Sequence, residues 1–371
     1  MKVLHVESGR HLYGGALQVV FLLQGLAKRG GDEHVLACPH GCAIAAAARP
    51  HAARVHELAL GGDADLGSLG RLRRLIRAER PNLVHLHSRR GSDLWGGLAA
   101  RLEGVPAVLS RRVDNPEPRA WVALKYRLYR RVIAISHGIR HVLLAEGLAP
   151  ERVVCVHSAV DTARYRPGCA DSGWLRREFR LPPGGAVLAM VAQFIPRKGH
   201  RVLLDALPAV WAEHPETRVL LFGQGPEHPA IAAEVARRGW AERVRLPGFR
   251  EDLDRVLPCV DLVVHPAALE GLGVSLLQAA ACGVPIVATR AGGIPEVVED
   301  GANGTLVAPG DAAALGAAIA RLLSDPALRE RYGAAGRALA IERFSVDAMV
   351  AGNRAVYEAV LREAAPTAAE P

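Results

Sequence analysis

Short apolar runs alternate with amphipathic stretches along nearly the whole chain, and this pattern restricts the fold more than any other feature. Runs short enough to be strands buried on both faces, each followed by a helix-length stretch, predict parallel sheets covered by helices. The alternation breaks near residues 165–185, where Pro167, Pro182 and Pro183 flank a short predicted helix, and it then resumes. The sequence therefore predicts an α/β protein with two Rossmann-like domains.

The length and the end of the chain refine this plan. With 371 residues, half of them hydrophobic, the chain has material for two cores. Met349, Val356 and Val360 fall at helical spacing and predict a terminal helix over residues 346–363, with a frayed tail after Ala364. We therefore expect domains over residues 1–165 and 166–345, followed by a helix and tail over residues 346–371.

The first residues and the spacing of the cysteines lead us to expect a cytoplasmic protein. The charges of Lys2 and Glu7 come too early for a signal peptide, and the six cysteines form no CxxC pair, so we expect reduced thiols. Residues 271–289 carry no charge and are long enough to span a bilayer. Their glycines, Gln278 and Pro285 favour a buried helix and strand instead.

Charge is distributed unevenly. The net charge is +8, but residues 1–165 hold 24 basic against 14 acidic side chains, and the remainder hold 22 against 24. This asymmetry predicts an anionic partner for the first half. A nucleic acid is not expected, because no helix-turn-helix, RRM or zinc-finger pattern accompanies the charge.

The densest local signal lies in residues 266–297. Glu270 precedes a turn with two glycines, Gly271 and Gly273, and a predicted helix over residues 274–281. The start of such a helix presents unpaired N–H groups and partial positive charge, which suit a diphosphate. A predicted buried strand over residues 286–289 and a second glycine turn follow, so the segment predicts one wall of a nucleotide site. A dehydrogenase is disfavoured, since no compact GxGxxG follows the first strand.

Several motifs together resemble the family-4 (group 1) retaining glycosyltransferases of the GT-B fold. They occur in order over nearly the whole chain: Gly14-Gly15-Ala16, Ile135-Ser136, Val160-Asp161, Lys198-Gly199, Gly223-x-Gly225-Pro226, Glu270-Gly-Leu-Gly, Cys282-Gly283-Val284-Pro285 and Gly292-Gly293-Ile-Pro-Glu296. The resemblance implies two Rossmann-like domains with parallel sheets facing across a cleft. The first would bind the acceptor and the second a nucleotide sugar, most often a UDP-sugar, with no cofactor or metal. The terminal helix would cross back to the first domain.

The resemblance also implies roles for individual residues. Glu270 and His87 match positions near the transferred sugar, while Arg197 and Lys198 match the basic pair that neutralises the departing diphosphate. These four residues are the predicted catalytic set. The predicted donor-binding set comprises Gly14, Gly15, Gln193, Phe249, Gly271, Leu272, Gly273, Val274 and Gln278.

The chain departs from the family pattern at three places. Gln278 replaces the second glutamate of the Glu-x7-Glu motif, which weakens ribose binding without forbidding it, and Gln193 replaces a basic residue. Arg111 and Arg112 stand where the family often has a His-Asp-like pair; with Arg89 they predict an anionic acceptor.

Other patterns leave alternatives open. Residues 119–132 place Trp121, Leu124 and Leu128 on one helical face with basic residues around them, a pattern that suits either an anionic membrane or packing on the chain's own sheet. A metal at Asp63-Ala-Asp65 and zinc at Cys38 and Cys42 are disfavoured, because each lacks further ligands.

The sequence thus predicts a retaining transferase that moves a sugar from a nucleoside diphosphate to a saccharide or lipid-linked hydroxyl. The expected setting is lipopolysaccharide or other envelope polysaccharide synthesis, in the cytoplasm or peripherally on the inner face of its membrane. The alternatives are a non-catalytic GT-B protein that binds a glycan or acts as a scaffold, suggested by Gln278 and Gln193, and a nucleotide-sugar epimerase, for which no acid and base pair is evident.

Overall fold

The computed structural model describes residues 1–10, 12, 14–87, 91–169 and 171–364. They form two compact units. The N-terminal unit comprises Met1–Ala159 and the chain from Val346, and the C-terminal unit comprises Val160–Ser345. The division therefore falls slightly before the boundary expected at residue 165.

The N-terminal unit contains a seven-stranded parallel sheet of order β3-β2-β1-β4-β5-β6-β7. Its strands are β1 (Lys2–Val6), β2 (Glu33–Pro39), β3 (Arg54–Leu58), β4 (Leu83–Leu86), β5 (Ala107–Arg111), β6 (Arg131–Ala134) and β7 (Val153–Cys155). Its first helices are α1 (Gly15–Arg29), α2 (Ala43–Ala48), α3 (Gly67–Glu79), α4 (Ser92–Leu102), α5 (Arg119–Lys125) and α6 (His137–Ala145). Most of these strands are buried along their length, as expected when helices cover both faces.

The C-terminal unit contains a six-stranded parallel sheet of order β10-β9-β8-β11-β12-β13. Its strands are β8 (Val187–Val191), β9 (Arg218–Phe222), β10 (Val244–Gly248), β11 (Leu262–His265), β12 (Ile286–Thr289) and β13 (Gly304–Val307). Its helices are α7 (Ser172–Glu178), α8 (His200–Glu213), α9 (His228–Arg237), α10 (Leu253–Val256), α11 (Val274–Ala281), α12 (Ile294–Val297), α13 (Ala312–Ser324) and α14 (Pro326–Phe344). Two Rossmann-like α/β domains are therefore present, as the sequence predicted.

The last helix, α15 (Val346–Ala364), packs on the N-terminal unit. Its buried side chains, including Val350 and Tyr357, join the core formed by α1 and the sheet. At Gly25 of α1, an added Cβ would lie 2.4 Å from Cγ2 of Val350, so the two helices approach closely only because this residue has no side chain.

The uncharged stretch over residues 271–289 forms α11 and β12, both buried, as the sequence predicted. Within the ranges that the structure describes, every helix is too short or too polar to cross a bilayer.

The expectation of reduced thiols is wrong for two cysteines. Cys169, before α7, and Cys259, at the end of a 3₁₀ turn, form a disulfide with their Cα atoms 4.8 Å apart. They are separated by 90 residues, so no local spacing motif could reveal the pair. Within the described residues, the remaining four cysteines form no disulfide.

Candidate active site

Glu270 lies in the loop after β11, at the carboxyl end of the C-terminal sheet. Its Oε2 accepts hydrogen bonds from Nζ of Lys198 and from Nε2 of His265, the latter at 2.9 Å. Lys198 ends the 3₁₀ turn after β8, and His265 is the last residue of β11. Because β8 and β11 are neighbours in a parallel sheet, their carboxyl ends bring the lysine, the histidine and the glutamate together.

The Glu270 carboxylate is ionised in this setting. Burial acts to raise its pKa, but the hydrogen bond and charge of His265 and the charge of Lys198 outweigh burial and hold the pKa of Glu270 at about 2. Oε1 also accepts a hydrogen bond from the backbone N–H of Gly271, at 3.1 Å. Glu270 can therefore accept hydrogen bonds at neutral pH and cannot act as an acid.

Two glycines fix the backbone around this carboxylate. At Gly199, with φ 76°, an added Cβ would lie 2.0 Å from the carbonyl oxygen of Pro266. At Gly292, with φ 54°, it would lie 1.9 Å from the carbonyl oxygen of Glu270, which also accepts a hydrogen bond from Gly293 N at 3.0 Å. Only glycine suits both positions, so the second glycine turn holds the loop that carries Glu270.

The helix α11 begins beside Glu270. Its N-cap residue, Gly273, has φ 91°, and no side chain in the described ranges caps the helix. Leu272, which precedes this residue, is buried. The first turn therefore offers N–H groups and partial positive charge close to Glu270 and Lys198.

The N-terminal unit assembles a second polar cluster around His87, which follows β4. Its Nε2 lies 3.0 Å from Nδ1 of His5, and its Nδ1 lies 3.5 Å from the Arg112 guanidinium. Burial, and then the neighbouring His85, His5 and Arg112, lower the pKa of His87 well below its usual value. His87 is therefore a buried neutral imidazole.

Arg112 and the predicted glycines lie at the same cluster. Burial lowers the pKa of the Arg112 guanidinium to about 10, although Glu7 and Tyr357 act in the opposite direction. A Cβ on Gly15 would lie 3.0 Å from Cδ of Arg112, so this glycine leaves room for the arginine. Gly14, with φ 57°, is the exposed N-cap residue of α1.

Comparison with known proteins identifies the family to which the chain belongs. The family model "Glycosyltransferase Family 4" matches residues 13–164, and "Glycosyl transferases group 1" matches residues 174–339. The chain is 30% identical to alpha-maltose-1-phosphate synthase of Mycolicibacterium smegmatis, over 91% of this chain and 94% of that protein. The chain belongs to the group 1, family 4 glycosyltransferases.

Two further similarities bear on this glycosyltransferase. It is 32% identical to D-inositol 3-phosphate glycosyltransferase 2 of Catenulispora acidiphila over 66% of this chain, but it spans only 63% of that relative's length. The crystal structure of Anabaena Alr3699/HepE in complex with UDP and glucose superposes with a TM-score of 0.82 and 23% identity, covering 97% of this chain and 99% of that one. The latter similarity shows the fold, which is GT-B.

The other residues predicted to bind the donor differ in exposure and in hydrogen bonding. Gln278 donates a hydrogen bond from Nε2 to the Tyr165 hydroxyl at 2.9 Å. The side chains of Gln193 and Phe249 are exposed, and Arg197 is half-buried. The carbonyl of Arg197 accepts a hydrogen bond from Ala268 N at 2.8 Å, which ties the Lys198 turn to the loop that carries Glu270.

The predicted acceptor-binding role of Arg111 is wrong. Its side chain is buried, donates to the Glu117 carboxylate at 2.6 Å and to the Tyr126 hydroxyl at 3.0 Å, and binds the carbonyls of Val113 and Asn115. The N–H groups of the Arg111 guanidinium thus donate to residues of the N-terminal unit, and the buried side chain is not available to bind an acceptor saccharide. Of the other two predicted arginines, Arg112 lies at the His87 cluster, and Arg89 lies outside the described residues.

The helix predicted over residues 119–132 is shorter, and the exposure of its apolar residues bears on the two alternatives left open for its apolar face. α5 ends at Lys125, a 3₁₀ turn covers Tyr126–Leu128, and β6 begins at Arg131. Lys125 is buried against Asp93 and Glu117, whereas Trp121 and Leu124 are 39% and 60% exposed. The buried ion pairs of Lys125 explain why Trp121 and Leu124 face outward, since Lys125 occupies the inward side of α5.

Sequence reasoning missed His265, Tyr165, His5 and His34. His265 ends an apolar run that predicts only a strand, and Tyr165 lies at the expected domain boundary. The signal that could have found His265 is its place as a polar residue at the carboxyl end of a buried parallel strand.

Proposed function

We propose that this glycosyltransferase transfers a sugar, with retention of the anomeric configuration and without a metal, from UDP-sugar to a hydroxyl of a saccharide or lipid-linked acceptor. We place it in lipopolysaccharide or other envelope polysaccharide synthesis, on the cytoplasmic side of the membrane. The observation that carries the proposal is the contact of Lys198 and His265 with the ionised Glu270 beside the start of α11.

The charges at this site fit a sugar joined to a diphosphate. Lys198 and the first turn of α11 supply positive charge where the diphosphate leaves. Glu270, held as a carboxylate, accepts hydrogen bonds from sugar hydroxyls and stabilises positive charge that develops on the ring. The cation Lys198 and the anion Glu270 thus lie side by side. The donor needs both, because its diphosphate is negative and its sugar ring becomes positive during transfer.

The proposed reaction needs no covalent enzyme intermediate. The bond between the anomeric carbon and the diphosphate oxygen breaks as the acceptor oxygen attacks from the same face of the sugar. The proton of the acceptor hydroxyl passes to the departing diphosphate oxygen. Glu270 is unsuited to protonate that oxygen, because its pKa lies near 2.

Both substrates are inferred from the similarities together with charge. Crystal structures of HepE, which has a similar fold, contain UDP and glucose or UDP-glucose. They support a uridine diphosphate sugar as the donor. For the acceptor, the half-buried cation Arg112 favours an anionic group, in line with the phosphate named in D-inositol 3-phosphate glycosyltransferase 2.

Donor cleavage tests this proposal before the acceptor is known. The protein is incubated with UDP-glucose and other UDP-sugars, released UDP is quantified, and the first sugar product is followed by proton NMR. We expect UDP release that requires Lys198 and an initial product with the α-configuration from an α-linked donor. Tight UDP binding without release from any donor would support the glycan-binding or scaffold alternative instead.

We further propose that the outward face of α5 contacts an anionic membrane. Trp121 and Leu124 project from this face, and Arg127 and Arg130 are exposed beside it. Burial, and then the charge of Arg131, lower the pKa of Arg152, and Arg127 and Arg130 act in the same direction. Exposed apolar side chains within such concentrated positive charge suit the interface of anionic lipids.

Vesicle co-sedimentation tests the membrane contact. We expect the protein to bind phosphatidylglycerol vesicles at low salt, to bind phosphatidylcholine vesicles far less, and to lose binding when Trp121 and Leu124 are both replaced by serine. Leu66→Ser is the matched control, because Leu66 is 70% exposed in the same unit but lies at the start of α3. Equal binding by the double variant and the wild type would contradict the proposal.

A further inference from the structure

Three buried histidines form a continuous chain of hydrogen bonds through the N-terminal sheet. We call His34, His5 and His87 the histidine row. His34 lies on β2, His5 on β1, and His87 directly after β4. Nδ1 of His34 lies 3.1 Å from Nε2 of His5, and Nδ1 of His5 lies 3.0 Å from Nε2 of His87.

The imidazoles of the row are neutral. Burial is the largest cause that lowers the pKa of His5 and His87 far below the usual value, and it lowers the pKa of His34 to about 4. Near His34, Asp32 acts to raise this pKa, while the N-terminus and Arg354 of α15 act to lower it. Each ring therefore carries one N–H, and each link has one donor and one acceptor.

The position of Arg112 indicates the direction of the whole chain. A guanidinium can only donate, so its contact at 3.5 Å requires Nδ1 of His87 to be the acceptor. The proton of His87 then sits on Nε2 and is donated to Nδ1 of His5. His5 in turn donates from Nε2 to Nδ1 of His34, so all three rings share the Nε2–H tautomer.

His85 belongs to a separate set of contacts, although its ring centroid lies 3.7 Å from that of His87. Its Nδ1 lies 2.6 Å from the Tyr357 hydroxyl of α15, and its Nε2 lies 2.9 Å from Oγ of Ser110. Both nitrogens of His85 and both nitrogens of His5 are thus occupied. This argues against a metal ion held by His5, His85 and His87, even though one ligand atom from each lies within 4.8 Å of the others.

We infer that His5 and His34 are positioning residues that hold His87 as the Nε2–H tautomer, with its Nδ1 lone pair directed toward Arg112 at the carboxyl end of β4. A lone pair held there recognises a hydroxyl that donates a hydrogen bond, such as a sugar hydroxyl that takes over the long contact with Arg112. This use of the lone pair rests on the proposed function, whereas the tautomer itself does not. His87 accordingly accepts and does not donate toward substrate.

Nitrogen-15 NMR of the imidazoles in the full-length ligand-free protein tests the inference. Long-range proton–nitrogen correlations distinguish the two neutral tautomers, and single His→Phe variants assign the signals. We expect His5, His34 and His87 to show the Nε2–H pattern with no protonation between pH 8 and pH 6. An Nδ1–H pattern for His87, or a charged ring in this range, would overturn the inference.

Two substitutions at His5 separate positioning from packing. His5→Asn keeps an acceptor near the position of Nδ1, so we expect His87 to retain the Nε2–H pattern. His5→Phe removes the acceptor and leaves the tautomer of His87 to the 3.5 Å contact with Arg112, which is at the outer limit of a hydrogen bond. We therefore expect the single Nε2–H pattern to be replaced by a mixture of tautomers. His85→Phe is the control: it removes a buried histidine that touches His87 but lies outside the row, and we expect the tautomer of His87 to be unchanged. An unchanged His87 pattern in His5→Phe would contradict the positioning role.

UDP titration of His5→Phe keeps this result distinct from the proposed function. UDP is expected to bind residues of the C-terminal unit, so its affinity should stay within twofold of the wild type while the tautomer of His87 changes. Failure of the wild type to bind UDP would reject the proposed function and leave the tautomer result standing.

Discussion

The two units stabilise buried polar groups in different ways. In the C-terminal unit, Glu270 is an ionised carboxylate compensated by Lys198 and His265. In the N-terminal unit, His87 is neutral and joined to other neutral imidazoles, with Arg112 at the end of the chain. The first arrangement suits a ligand with a negative diphosphate and a polar sugar, whereas the second offers one directed lone pair beside a cation.

The largest expected effect concerns the buried Arg111 of the N-terminal unit. Arg111→Ala leaves the carboxylate of Glu117 buried with one cation fewer, which costs about 3–5 kcal/mol. Peptides from β5 and β6 should therefore exchange their amide hydrogens for deuterium faster in this variant than in the wild type. Arg77→Ala is the control, since the exposed Arg77 side chain pairs with Glu103 at the surface and its removal should leave the protection of these peptides unchanged. Unchanged protection in Arg111→Ala would show that Arg111 is not structural.

The next effect concerns catalysis in the C-terminal unit. Lys198→Ala removes positive charge from the proposed diphosphate site, and we expect UDP release to slow by about 10²–10³-fold. Lys28→Ala, at an exposed position of α1, should release UDP at the wild-type rate. Equal rates in the two variants would remove Lys198 from the mechanism.

A pH series tests the compensation of Glu270. Its pKa of about 2 in the folded protein lies below the usual 4.5, so its ionised form stabilises the fold above pH 4.5 by about 3 kcal/mol, and this contribution is lost as the pH falls toward 2. The stability difference between wild type and Glu270→Gln, measured by urea unfolding, should therefore shrink between pH 4.5 and the lowest pH at which the fold persists. Glu330→Gln, at an exposed position of α14, is the control: its stability should stay close to that of the wild type over the same pH range. A gap for Glu270→Gln that does not depend on pH would contradict the assigned pKa.

The smallest expected effect concerns the ribose. Gln278→Glu restores a charge-assisted hydrogen bond worth about 1 kcal/mol, so UDP should bind about fivefold more tightly. The glutamate can still accept a hydrogen bond from the Tyr165 hydroxyl, which preserves the local contact. Weaker binding of UDP by this variant would indicate that Gln278 serves Tyr165 rather than the nucleotide.

The same contrast explains what could be predicted from the sequence. The alternation of strands and helices, and the helix over Val274–Ala281, were predicted correctly because these patterns are local. Most of the C-terminal site comes from one segment of about thirty residues, so its Glu270 and glycines stand together in the sequence. Lys198 lies outside this segment, and its place in the diphosphate site was predicted only from the family resemblance.

The N-terminal cluster could not be predicted in the same way. His5 and His34 lie on two different strands and His87 directly follows a third. Only the register of the sheet places the three within hydrogen-bond distance. The error at Arg111 has a similar cause, because its partner Glu117 lies in a loop whose path the sequence does not reveal. The Cys169–Cys259 disulfide likewise depends on contacts distant in sequence.

Calorimetric titration with UDP and UDP-glucose tests the central claim most directly, using wild type, Lys198→Ala and Glu270→Gln. If Lys198 binds the diphosphate and Glu270 the sugar, Lys198→Ala weakens the binding of both ligands, whereas Glu270→Gln weakens UDP-glucose and leaves UDP unchanged. Absence of binding to the wild type, or equal affinities of all three proteins for both ligands, would contradict the account.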